Sequence, residues 1–144
     1  EFLQPNIDFI KVGYKGYASK KSEFNAAMSY NLLNAITGQA PDFSVDFSEA
    51  LVSRGNLGMP INGATDLTTP GQVEFTWQDN STDGNANATD KSMLLVYNPD
   101  KKQSAFVLEG ADRSSGLDVV SIPDSFSGDE VQLFEKEFAG EKIT

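Results

Sequence analysis

The chain has neither cysteine nor histidine among its 144 residues. Without thiols there is no disulfide, no cysteine nucleophile and no thiolate zinc site. Without imidazole there is no histidine base and no histidine metal ligand. Positive charge is also scarce: 11 Lys and Arg stand against 21 Asp and Glu, for a net charge of −10. The basic residues never cluster beyond the pairs Lys20-Lys21 and Lys101-Lys102. A nucleic-acid partner needs a basic footprint, so none is expected. Long apolar runs are missing too. The longest, Met93-Leu94-Leu95-Val96-Tyr97, falls far short of the roughly 20 residues that span a bilayer, so no membrane insertion is expected. No G-x-S-x-G elbow, S-x-x-K pair, P-loop or G-x-G-x-x-G turn is present.

The length suits one domain with a core of its own, and charged residues at 22% and hydrophobic residues at 39% are those of a folded protein. The first 40 residues have a helical period. Ser22 is placed as an N-cap and Glu23 in the first turn. Phe24, Ala27, Met28, Leu32, Ala35 and Ile36 follow i, i+3, i+4 spacing on one face. The spacing predicts a helix from Ser22 to Thr37, with Gly38 as its left-handed cap and Pro41 barring continuation. Phe2 to Val12 reads as a further helical stretch, broken by Gly13 and Gly16.

After Pro41 the period becomes two. Phe43, Val45 and Phe47 alternate with polar residues, and Ala50-Leu51-Val52 continues in extended form. Residues 55–71 hold Gly and Pro in loop density. Val73, Phe75 and Trp77 make the clearest half-buried strand. Ser92 to Tyr97, apolar on both faces, reads as a central strand. Further strands are expected at Ser104–Glu109, Leu117–Ile122 and Val131–Phe138, with turns at Asn98-Pro99-Asp100-Lys101 and Gly128-Asp129. The expected architecture is mainly β: an N-terminal helical segment, 1–40, followed by an antiparallel β-sandwich, 41–144, of immunoglobulin or fibronectin III type. Trp77, Phe75, Val73, Leu95 and Leu133 are its expected core.

Several stretches resemble a family of uncharacterised proteins, a domain of unknown function common in Bacteroidetes. They are Phe24-Asn25-Ala26-Ala27-Met28-Ser29-Tyr30-Asn31 with Asn34-Ala35-Ile36, and Pro41-Asp42-Phe43-Ser44. Phe75-Thr76-Trp77 with Asp79-Asn80, Asp90-Lys91 and Val96-Tyr97-Asn98-Pro99 follow. Gly110-Ala111, Arg113-Ser114 and Gly128-Asp129 complete the likeness. The resemblance implies a longer parent protein with a Gly-rich N-terminal region, and a C-terminal part similar to fibronectin type III or immunoglobulin sandwiches. It implies no catalytic residues. The family continues into one more strand, whereas here Phe138 is followed by Ala139-Gly140-Glu141-Lys142. A sandwich without that strand keeps an open edge, which invites a protein partner or self-association by strand addition.

One segment has metal-ligand spacing. From Asp79 to Asp90, Asp79, Ser81, Asp83 and Asp90 stand at positions 1, 3, 5 and 12 with Gly84 at 6. EF-hand calcium loops use that spacing. Asp90 reaches less far than the usual Glu, and the flanks read as strands rather than helices. The competing account is a polar connection whose Asp, Asn and Gly serve turn geometry. Tyr14, Tyr17 and Tyr30 form either an aromatic surface near the helix or part of its packing. Arg113 either pairs with a buried carboxylate or sits solvated in a turn. Asn80-Ser81-Thr82 and Asn87-Ala88-Thr89 match glycosylation sequons without weight in a bacterial protein.

No catalytic residue and no cofactor other than calcium is expected. The function expected is non-enzymatic: a structural, adhesive or assembly β module of a larger surface, extracellular or virion structure. The alternative is a carbohydrate-binding domain or a carboxylate-dependent hydrolase, which would need two facing carboxylates of raised pKa.

Overall fold

The computed structural model describes residues 1–18 and 20–138, the last four of these by backbone alone. The stretch after Phe138, expected to lack a further strand, lies outside the described residues. Among these residues the protein is mainly β, with eight strands in three antiparallel sheets and short helices near the N-terminus. The chain divides into two compact units, Glu1–Gly55 and Asn56–Thr144. The composition shift near residue 40 falls inside the first.

In the first unit a 3-10 turn, Gln4–Asn6, runs into α1, Ile7–Gly13, and α2 follows at Glu23–Asn34. Ser22 caps α2 as its position suggests: its backbone is extended, and its hydroxyl accepts from the Asn25 N–H at 3.1 Å. The helix is shorter than its pattern predicts. It ends at Asn34, and Ile36–Gln39 (β1) pairs with Asp42–Val45 (β2) in a hairpin. Ile36 and Thr37 are β-branched and prefer the strand. Gly38 belongs to the hairpin and is no helix cap. Its φ is +95°, and a Cβ there would stand 2.3 Å from the Asp42 carbonyl oxygen.

The buried face of α2 also differs from the apolar stripe. Leu32 is 60% exposed, while Asn31 is buried. The Asn31 amide donates to the Ala27 and Leu51 carbonyls at 2.8 and 2.9 Å, and its oxygen accepts from the Leu51 N–H at 3.0 Å. A buried backbone segment needs partners for both its polar groups. Here one side chain supplies them for the Leu51 stretch, which joins no strand. Phe9, Ile10 and Tyr14 are buried beside it, and Phe2 meets Phe47 edge-to-face at 5.2 Å.

The second unit holds two three-stranded sheets. One has the order β3-β4-β7, with β3 Ile61–Asp66, β4 Gln72–Gln78 and β7 Leu117–Ser121. The other has the order β6-β5-β8, with β5 Lys91–Asn98, β6 Gln103–Val107 and β8 Gln132–Phe138. Val73, Phe75 and Trp77 from β4, Leu94 and Val96 from β5, Val120 from β7 and Phe126 form one core, with Leu133 partly buried against it. Leu95 was expected in that core and is not there. It is fully buried on the opposite face of β5 with Met93 and Tyr97. A strand apolar on both faces gives no period by which to choose.

Residues 55–71, read as loop, contain the strand β3. All six of its residues are exposed, and its pairing with β4 shifts register between Ile61 and Ala64. With no inward face it has no apolar alternation to betray it.

Candidate functional site

The polar residues singled out by sequence converge at one end of the second unit. Arg113 opens a 3-10 turn, Arg113–Ser115, between β6 and β7. Its side chain is fully buried. The Nε and Nη2 atoms each lie 3.1 Å from Asp90 Oδ2. Nη1 donates to Asn80 Oδ1 at 2.7 Å, and Nη2 donates to the Gly58 carbonyl at 2.7 Å. Arg113 therefore takes the first of its two readings, pairing with a buried carboxylate.

The backbone reinforces that arrangement. The Arg113 N–H donates to the Asp90 carbonyl at 2.7 Å, and the Arg113 carbonyl accepts from Trp77 Nε1 at 2.7 Å. Trp77 thus has its apolar body in the core and its N–H satisfied at the rim. A guanidinium withdrawn from water needs a paired charge and hydrogen bonds. Here each of its three nitrogens has an acceptor, while Asp90 Oδ1 is buried without a hydrogen-bond partner among the described residues.

The Asp79–Asp90 connection is organised around the same arginine. Asp90, 1% exposed, also accepts from the Asn87 N–H at 2.8 Å. Asn80 is buried and donates to the Met59 carbonyl at 2.9 Å. Asn85 accepts from the Gly58 N–H and donates to the Asn56 carbonyl, each at 2.8 Å. The connection thereby ties down the segment that enters β3.

The four residues with calcium spacing divide. Asp90 faces inward to Arg113, Asp79 accepts from the hydroxyl and the N–H of Ser81, and Asp83 is exposed. Among the described residues no group of three or more His, Cys, Asp or Glu is placed to hold a metal ion.

A second polar cluster joins β5 to β7. Ser92 Oγ donates to Asp118 Oδ2 at 2.6 Å, which also accepts from the Ala111 N–H at 2.8 Å. Gly110 is required beside them, since a Cβ there would fall 2.0 Å from Asp118 Oδ2 and 2.2 Å from Ser92 Oγ. A Ser–Asp pair without an imidazole between them has no proton relay. At the far end of β5, Asn98 and Lys101 both donate to Asp129, and those bonds hold its carboxyl below the usual carboxylate range. These clusters are fastenings between strands and loops.

The sequence singles out Asp90 only as a calcium ligand and leaves Arg113 between a buried pair and a solvated turn; Asn80, Asn85 and Asn87 are not read as anchors there. The signal was the density of Asn in an otherwise acidic connection, a residue that offers both donor and acceptor to backbone.

Fold and site together describe a mainly β protein with a buried Asp90–Arg113 ion pair at one end of its second unit. The chain belongs to the Family of unknown function (DUF6266), whose model matches residues 1–142. No curated protein and no solved structure matches the chain. No helix among the described residues is long and apolar enough to cross a membrane.

Proposed function

We propose that the protein is a non-enzymatic assembly module whose second unit is a fibronectin III-like β-sandwich, and that it associates with a protein partner or a second copy through a sheet edge. The observation that carries this is the strand order. Taking β3 to β8 as A, B, C, C′, E and F gives the sheets A-B-E and C′-C-F, an immunoglobulin-type arrangement in which a G strand normally pairs beside F. F is β8. Among the described residues β8 pairs with β5 alone, along the seven residues Lys91 to Tyr97 of that strand.

The edge strand β3 is poorly suited to receive a partner. Its register shift and the positive φ of Asn62 blunt it. β8 pairs regularly with β5 over seven residues and is the better backbone template for strand addition, although its sequence places charge along it at Glu135, Lys136 and Glu137. The burial of Arg113 against Asp90, Asn80 and Gly58 and the lack of histidine in the sequence support a scaffold over a reaction centre. A larger surface or virion structure is the setting such a module suits.

The test is the mass of the protein by light scattering across a wide concentration range. A defined oligomer or filament is expected. A monomer at every concentration would sink the proposal.

A further inference from the structure

The chain has two arginines. Arg113 is buried against Asp90. Arg54 is exposed, and its guanidinium carbon lies 5.3 Å from the Tyr17 ring centroid and 5.1 Å from that of Tyr30. Among the described residues its side chain makes no ion pair and no hydrogen bond. In a protein with nearly two acids for every base, an arginine held by two aromatic rings and answered by no carboxylate calls for a reason.

The elements of the first unit build this arrangement. Tyr17 follows the end of α1, Tyr30 stands on α2, and Arg54 ends the extended segment after Val52. That segment is fixed against α1 by the Arg54 N–H, which donates to the Gly13 carbonyl at 2.7 Å. Gly13 permits the approach, since a Cβ there would lie 2.6 Å from the Val52 carbonyl oxygen. Arg54 thereby stands over a cleft of about 230 Å³ whose lining includes Tyr17, Lys21, Ser29 and Tyr30 and no acidic residue. Lys21 Nζ lies 3.4 Å from Ser29 Oγ and adds a second positive charge.

Aromatic contacts engage the faces of a guanidinium and leave its edge, a planar fork of N–H donors, to meet a ligand. Such a fork fits a planar carboxylate with two parallel hydrogen bonds. We propose that the Arg54–Tyr17–Tyr30 cleft is a recognition site for the carboxylate of an acidic side chain presented by a protein partner. The volume admits an Asp or Glu side chain, and the two rings hold the guanidinium at the cleft where a carboxylate would meet it. The inference concerns the first unit and does not rest on strand addition by the second.

The test is calorimetric titration of the whole chain with acetyl-tetraglutamate amide, and with the tetraglutamine peptide as control. Binding of the glutamate peptide alone is expected, despite the protein's own net charge of −10. Arg54→Ala removes it, and Arg54→Lys, which keeps the charge but loses the fork, weakens it about tenfold. Arg54 is exposed, so both variants are expected to stay folded at the titration temperature, which thermal melting checks. No heat from the glutamate peptide with the folded protein would overturn the proposal. Full binding by Arg54→Ala would overturn it as well. Equal binding by Arg54→Lys, or inorganic phosphate binding as tightly as the peptide, would overturn the planar-carboxylate assignment.

Discussion

Asp90 and Arg113 form a buried ion pair at the rim of the core, and each is worth little without the other. Removing one partner of a buried pair typically costs about 3–5 kcal/mol, because the remaining charge is stranded. Arg113→Met and Asp90→Leu are each expected to destabilise on that scale in urea denaturation. The double variant is expected to lose far less than the sum. Additive losses would mean that the two side chains act separately. Calcium is a second check on Asp90. Its commitment to Arg113 predicts that millimolar calcium, compared with chelator, leaves the melting temperature unchanged. A rise abolished by Asp83→Ala would restore the connection as a cation site. Tyr14 supplies a pH signature. Its hydroxyl donates to the Leu51 carbonyl at 3.1 Å, and burial pushes its pKa up to about 12, with Arg54 pulling the other way. A pKa raised in the folded state favours the protonated phenol, so the contribution is whole below the unfolded value of 10.0 and is lost as pH rises toward 12. Thermal melts from pH 9 to 12 are expected to fall more steeply for the native protein than for Tyr14→Phe.

At the scale of elements, the capped start of α2 gives the simplest test. Ser22→Ala is expected to cost about 1 kcal/mol, with Ser22→Gly milder, by chemical denaturation. What was legible in the sequence followed burial. β4 was plain because Val73, Phe75 and Trp77 alternate with half-buried polar residues, and β5 because every position from Ser92 to Asn98 is buried. β3 was invisible because all six of its residues are exposed and show no apolar alternation. The end of α2 was misread because Ile36 continues the helical stripe in sequence while its backbone turns into the hairpin. Arg113 and Asp90 were legible as candidates, since a lone arginine among Asp, Ser and Gly invites a partner. Arg54 was not. Nothing in Ser53-Arg54-Gly55 announces Tyr17 and Tyr30, which come from segments far away in the chain.

For the whole molecule, charge separates the two kinds of contact proposed. Copies carrying a net −10 repel one another, so association through β8 should strengthen as salt screens that repulsion. Binding of an acidic side chain at Arg54 rests on direct attraction and should weaken over the same range. Light scattering and calorimetry at two ionic strengths are expected to move in opposite directions. If both weaken together, the self-association is itself electrostatic and does not run through strand addition.

The acidic connection between β4 and β5 has one further consequence. Asn80, Asn85 and Asp90 are its stitches, while Thr82 to Gly84 between them form an exposed turn. Foreign residues spliced between Thr82 and Asp83 would ride on an already fastened base, so a peptide displayed there should leave folding intact, whereas the same insertion beside Asn80 or Asp90 should unravel it.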